Sequence, residues 1–189
     1  MSDEPPLPDA PASIAVVRDF VNTLDHETGI DEITTQAELA RYLVRGGLLD
    51  GASARASAAD LALALRLRAG LRRALEANSD HDHHAARETL PELAGALREL
   101  PIALDWGAPG PTLRTTARGV RSALARIGLA VHSATSEGDW WRLKVCSDDE
   151  CRWAYYDHSK NRSRSWCGDG CGNKAKTRAY RARQRARAR

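Results

Sequence analysis

The stretch CSDDECRWAYYDHSKNRSRSWCGDGC, residues 146–171, holds all four cysteines of the chain, and GNKAKTRAYRARQRARAR, residues 172–189, follows it as one of its most basic segments. The spacing is Cys146-x4-Cys151, fifteen residues, then Cys167-x3-Cys171. Two close pairs a dozen or more residues apart let two turns each present two thiolates to one tetrahedral ion. A catalytic zinc keeps an open position beside three protein ligands, whereas four thiolates close the site, so the zinc expected here is structural. Two disulfides in a small secreted domain are the other reading of four cysteines. The start, MSDEPPLPDAPAS, has no charged beginning followed by an apolar run, which favours zinc and a cytoplasmic location.

Outward from that stretch, charge divides the chain in two. Residues 1–141 carry 14 Lys/Arg against 20 Asp/Glu, a net of −6, while residues 142–189 carry 14 against 5, a net of +9, within an overall charge of +3. Seven of the ten aromatic residues also lie in 140–189, as a small module needs when its core is built from few, large side chains. No apolar run approaches the roughly 20 residues of a membrane span, so a membrane is not among the expected partners. Arg outnumbers Lys by 24 to 4, which reads as the codon bias of a GC-rich bacterial genome.

The acidic half has helical periodicity. Ile14, Val17, Phe20, Val21 and Leu24 predict a first helix from Pro11 to Leu24, after a disordered segment at 1–10. Thr34 or Thr35 caps a second helix bearing Leu39, Tyr42 and Leu43, which the Gly46-Gly47 pair stops. Ser57 caps a third and longest helix, Ala58 to Ala77, with Leu67, Leu71, Ala74 and Leu75 in one stripe. A fourth is predicted from His84 to Leu100, kinked or restarted at Pro91. Residues 102–116 predict a small hairpin about the Gly107–Pro111 turn, and Thr116 or Arg118 opens a fifth helix through Leu124, Ile127 and Val131.

Three groups in this half bear on function. His81, His83 and His84 with Asp80 and Asp82 have the composition of a metal cluster but sit in a polar stretch at a helix start. Arg66, Arg68, Arg72 and Arg73 read as a solvated helix face or as an anion pocket. Asp19, Asn22 and Asp25 read as a solvated face too. Asp19 and Asn22 with Arg72 are the candidate ligand-binding residues of the helical half.

In the basic half, Trp141, Leu143 and Val145 alternate with Arg142 and Lys144, the period of a half-buried strand over Trp140–Val145. Ser147 to Glu150 make a tight turn, and Arg152–Tyr156 returns as a second strand with Trp153 and Tyr155 on one face, giving a zinc knuckle on a hairpin. Asp157 to Arg164 form a polar loop in which His158 is a loop residue. Gly168, Gly170 and Gly172 supply backbone freedom around the last ligands. A helix from near Cys171 aims its positive end at thiolates whose zinc complex carries a net charge of about −2, next to Lys144, Arg152 and Lys174. Along that helix Ala175, Ala179, Ala182 and Ala186 form a narrow stripe. Lys174, Arg178, Arg181 and Arg185 flank it on one side, and Lys176, Arg183 and Arg187 with Tyr180 on the other. So small a stripe buries little, and like charges at i,i+4 repel. The segment is either a solubilising tail or a phosphate-binding arm, with Arg162 and Arg164 of the loop as further contacts.

These residues resemble the CGNR zinc finger family. The resemblance rests on Cys146-x4-Cys151, on Asp157-x-Ser159-Lys160-Asn161-Arg162-Ser163-Arg164-x-Trp166-Cys167, and on Cys171-Gly172-Asn173-Lys174 with the Tyr-Arg-x-Arg that follows. Such proteins carry an N-terminal helical ABATE domain and are described as stress-induced transcriptional regulators, and Asp19-Phe20-Val21-Asn22-Thr23-Leu24 resembles the opening motif of that domain. Lys174 stands where the signature has arginine, keeping the charge without the two-pronged fork. Gly168-Asp169 replace a small residue and methionine.

The fold expected is mainly α: a helical domain with a small hairpin at 11–138, joined to a treble-clef-like zinc finger with a basic C-terminal helix at 140–189. The function expected is that of a non-enzymatic, DNA-binding bacterial regulator whose Cys146, Cys151, Cys167 and Cys171 hold one structural Zn2+. Arg162, Arg164, Lys174, Lys176, Arg178, Arg181, Arg183, Arg185 and Arg187 are its candidate nucleic-acid contacts, and its helical domain senses a small-molecule effector or mediates association. An RNA-binding or ribosome-associated module is the first alternative, because Trp and Tyr among arginines stack on unpaired bases. An enzyme with its pocket in the helical domain is the second, although the sequence displays no nucleophile and base pair.

Overall fold

A computed structural model of the chain describes residues 10–51, 54–79, 90–108 and 110–187. The helices α1 (Ala12–Val21), α2 (Gln36–Arg45), α3 (Ala58–Ser79) and α4 (Pro91–Arg98) lead into an antiparallel hairpin of β1 (Ile102–Gly107) and β2 (Gly110–Thr115), followed by α5 (Gly119–Ser136). A short 3-10 turn, Trp140–Arg142, then opens β3 (Leu143–Val145), which pairs antiparallel with β4 (Ala154–Tyr156), and α6 (Asp169–Arg187) completes the order. None of the described helices is long and apolar enough to cross a membrane.

Local chemistry accounts for most of the helix boundaries. Thr35 and Glu38 form a reciprocal capping box on α2, and Ser57 and Asp60 exchange the same pair of bonds at the start of α3. Gly47, at φ +67°, turns the chain out of α2. Pro91 takes the first position of α4 instead of kinking a longer helix, because its missing N–H costs nothing there. The expected start of that helix at His84 and the His81, His83, His84 cluster fall outside the described residues, as do residues 1–9 of the N-terminal segment.

The core is built around α3. Its Leu63, Leu67, Leu71 and Leu75 are fully buried, together with Ile14, Val17 and Phe20 of α1, Leu39 and Leu43 of α2, and Leu124 and Ile127 of α5. Where α4 crosses α3, a Cβ on Gly70 would lie 2.8 Å from that of Leu93, so only glycine permits the approach.

That core does not stop at the helical half. Trp140, Leu143, Val145 and Ala154 belong to it: β3 packs on α3, β4 on α1, and the turn that carries Trp140 on α5. The ends of the two helices supply the polar contacts: Asn22 accepts from the Ala154 N–H at 2.8 Å and donates to the Ala154 carbonyl at 2.9 Å. Asn78 donates to the carbonyls of Trp140 and Leu143, each at 3.0 Å, and the Ser79 hydroxyl bonds both backbone groups of Val145.

Several details differ from the sequence expectation, each for a tertiary reason. The first helix ends at Val21, because Asn22 and Thr23 turn away to bond β4 and the Phe20 carbonyl. The strand expected over Trp140–Val145 is only three residues long, and it is buried on both faces, Lys144 included. Trp141, expected to share the inward face, is 40% exposed while Trp140 is buried. Arg68 and Arg72 are not a solvated face: both are buried, Arg68 paired in two parallel bonds with Asp31 at 2.6 and 2.7 Å. Gly170 and Gly172 lie inside α6 with ordinary φ, and Gly172 packs on the Trp166 ring.

Replacing Asn22 with alanine strands the N–H and C=O of Ala154, a residue with no exposed surface. Each stranded group costs about 1–3 kcal/mol, so chemical denaturation of the zinc-loaded Asn22→Ala protein is expected to show a loss of about 3 kcal/mol. Wild-type stability in this variant would refute the junction described.

Candidate metal centre and nucleic-acid interface

The four cysteines come from the two turns predicted. Cys146 leaves β3, its N–H bonded to the Trp153 carbonyl, and the turn back to β4 is closed by the N–H groups of Cys151 and Arg152 on the Asp148 carbonyl. Arg152 takes the left-handed φ of 48° that completes this turn. Its guanidinium pairs with Glu76 of α3 and its carbonyl accepts from Arg72, so the strained position is held from both ends. Cys167 precedes α6 and Cys171 lies in its first turn.

All four sulfurs lie within 4.8 Å of one another, with Cys151 to Cys167 at 3.6 Å and Cys167 to Cys171 at 3.8 Å. All four cysteines are free, and these separations are far from a disulfide bond. A tetrahedral ion bound about 2.3 Å from each sulfur places the sulfurs roughly 3.8 Å apart. Burial, followed by the neighbouring sulfurs, pushes the Cys167 thiol well above its ordinary range and Cys171 up to about 12. Thiols held this close ionise together only around a cation. The donor set and its geometry fit zinc, and Cys146, Cys151, Cys167 and Cys171 hold it.

A second buried device organises the loop between the ligand pairs. The Lys144 ammonium donates to Asp157 Oδ2 at 2.9 Å and to the carbonyls of Arg162 and Arg164. Asp157 accepts in turn from the N–H and hydroxyl of Ser159 and from the Arg164 N–H. Burial alone would raise the Asp157 carboxyl, but the Lys144 ammonium and the Ser159 bonds hold it below the usual carboxylate value. The sequence placed Lys144 on the outer face as a neighbour of the thiolates. It missed this pair, whose only trace in the sequence is the Asp157-x-Ser159 turn signal.

The nine candidate nucleic-acid residues separate by environment. Arg164 is committed to the finger: it donates to the Trp166 and Cys167 carbonyls, and its guanidinium lies 5.9 Å from the Tyr155 ring centroid. Lys174 pairs with Glu27 of the helical half at 2.8 Å, and Arg178 spans Asp148 and Glu150 at 3.0 and 2.9 Å. The side chains of Arg162, Lys176, Arg181, Arg183 and Arg185 are exposed with no hydrogen bond or ion pair to any described residue. Arg187 ends α6, and its side chain lies outside the described residues. Beyond Ala175 every described side chain of α6 is exposed. The helix therefore leaves the zinc site as a projecting arm.

The three candidate ligand residues also part company. Arg72 is spent on the carbonyls of Val21, Leu24 and Arg152, and both atoms of the Asn22 amide are engaged by Ala154. Both act at the junction between the halves. Asp19 is exposed and paired with Arg18 at 2.7 Å. Asp19 and Asn22 line one wall of an open cleft of about 590 Å3, whose other wall carries Trp153, Tyr156, His158 and Arg164.

Metal analysis is expected to find one zinc per chain, and Cys167→Ala to abolish it. The ion contributes on the order of 10 kcal/mol to so small a module, so chelation is expected to reduce the near-ultraviolet tryptophan signal, because Trp166 packs on the cysteines; a spectrum unchanged by full chelation would contradict the assignment. Asp157→Asn leaves the Lys144 ammonium buried without its counterion and is expected to cost about 3–5 kcal/mol. Because the folded-state value of Asp157 is lowered, its contribution is present at neutral pH and is lost only as pH falls below the ordinary carboxylate range.

Comparison with protein-family models separates the same two halves. Residues 142–184 match the CGNR zinc finger, and residues 15–137 match the ABATE model, described as "Putative stress-induced transcription regulator". None of the curated proteins matches the chain. The ABATE match covers more than half of the chain and ends where the ribbon that carries the first two cysteines begins, so the chain belongs to the ABATE family and bears a CGNR zinc finger directly after it.

Proposed function

We propose that this zinc-binding regulator acts on DNA through α6. The observation that carries the reading is the projecting arm itself: a helix anchored by one zinc ligand just before it, Cys167, and one in its first turn, Cys171, with Lys176, Arg181, Arg183 and Arg185 unpaired along the rest of its described length. A bare helix with so little apolar surface is marginal in water. Phosphates remove the repulsion between its cations and release counterions, which supplies both affinity and order. At 19 residues, about 28 Å long, α6 has the dimensions of a helix that lies in a major groove.

The acidic half and the arm have opposite charge, and Lys174 and Arg178 already rest on carboxylates. Phosphate binding at those two positions displaces Glu27, Asp148 and Glu150, whereas the four free cations need no such exchange. The cleft beside Asp19 is the place for a small-molecule effector, because it touches both halves. A shift in the melting temperature of the full chain on screening small anions and aromatic compounds checks that assignment.

Single-stranded RNA is a second reading, favoured by exposed rings within residues 140–189: Tyr180 at 57%, Trp141 at 40% and Trp153 at 39% exposure. One titration separates the two, with tighter binding of duplex DNA than of single-stranded RNA expected.

Lys176, Arg181, Arg183 and Arg185 with Arg162 make about five phosphate contacts, so the log of DNA affinity is expected to fall with log salt at a slope of about −4 to −5. Truncation after Tyr180 removes three of the four free cations of the arm without touching a zinc ligand. It is expected to abolish tight binding with zinc still at one per chain. Binding with an unchanged salt slope would reduce the arm to a solubilising tail.

A further inference from the structure

The β1–β2 hairpin is amphipathic, and beyond its root one of its faces covers nothing among the described residues. Its register pairs Leu104 with Leu113 and Trp106 with Pro111, on the face that begins with Ile102 at the hairpin root. Asp105, Thr112 and Arg114 lie on the other face, where Asp105 and Arg114 form an ion pair. Ile102 reaches the core, 3.5 Å from where a Cβ of Gly128 in α5 would stand. Beyond it the face lies open, with Leu104 71%, Trp106 80% and Leu113 37% exposed.

We infer that this face is the contact between two copies of the chain, packed hairpin against hairpin about a two-fold axis. Charge argues for a second copy. The face has no ionisable group in a chain of which 28% of the residues are charged, so it offers a charged partner nothing to match, and it is complementary to itself as an isologous contact requires.

Backbone chemistry decides how the copies meet. The Trp106 N–H is taken by Asp105 Oδ1 at 2.9 Å, and Pro111 has no N–H to give. The end of the ribbon is thus poorly equipped to add a strand, and the side-chain face is what remains. Packed antiparallel, two hairpins bring Leu104 and Leu113 to the axis and set each Trp106 towards the root of the other ribbon. The indole, the leucines and Pro111 offer on the order of 400 Å2 per copy, the size of the largest apolar patch on a typical monomer and about half of a standard interface. The contact is therefore concentration-dependent, with Trp106 as its anchor. It holds whatever α6 binds.

Light scattering behind gel filtration tests it on the full, zinc-loaded chain over a hundredfold range of concentration. The wild-type protein is expected to reach twice its chain mass of 20.6 kDa. Trp106→Glu and Leu104→Glu are expected to stay at that chain mass with unchanged circular dichroism and zinc content, since both side chains are exposed. Thr112→Lys, on the opposite face, is expected to dimerise as the wild type does. A wild-type monomer at every concentration, a Trp106→Glu dimer, or a monomeric Thr112→Lys protein would each overturn the inference.

Discussion

A ribbon of two three-residue strands has no core of its own, and the arrangement of this chain follows from that deficit. β3 and β4 give Leu143, Val145 and Ala154 to the helical core, and Lys144 and Tyr155 to the finger. Period-two geometry makes the division possible, because successive side chains leave opposite faces. The backbone between those faces is equally short of partners, which is why Asn22, Asn78 and Ser79, at the ends of two helices, each turn a polar side chain onto it. The two halves are separate in sequence and charge, yet they share this ribbon.

On the far side of the ribbon, charges do what apolar side chains do elsewhere. Four thiolates and one divalent ion replace a hydrophobic centre. The Lys144–Asp157 pair replaces a second, giving the loop from Asp157 to Arg164 an internal anchor where it has almost no apolar residue to bury. Burying two charges is tolerable because almost every lone pair and proton finds a partner. The same economy explains Arg164: a cation beside the thiolates serves two carbonyls and the face of Tyr155, and so is unavailable to an outside phosphate.

Among the described residues, two projections of opposite character leave the core. α6 carries cations without a core, and the β1–β2 hairpin carries an apolar face without a cover. Both are poor structures in isolation, an arm of like charges and a two-stranded ribbon. Each makes physical sense as half of a contact, the first with a polyanion and the second with its own copy. The hairpin packs on α5 and the arm leaves the zinc ribbon, and both α5 and the ribbon contribute to the same core.

The metal centre was legible in the sequence because zinc ligation depends on side-chain type and local spacing: Cys146, Cys151, Cys167 and Cys171 carry the requirement by themselves. The helices were legible for the same kind of reason, since the stripe of Leu67, Leu71 and Leu75 and the cap signals at Thr35 and Ser57 act within a few residues. What only the tertiary structure decided are interactions between residues distant in the chain. Asn22 meets Ala154 across 132 positions, Arg72 meets Arg152 across 80, and Lys174 meets Glu27 across 147. In the sequence an arginine on a helix face looks the same whether water or a backbone carbonyl awaits it, so Arg68 and Arg72 read as solvated and prove to be buried. Lys144 deceived for a related reason. Alternation marks which residues share a face, but only packing determines whether that face meets water, and here the loop anchored by Asp157 covers it.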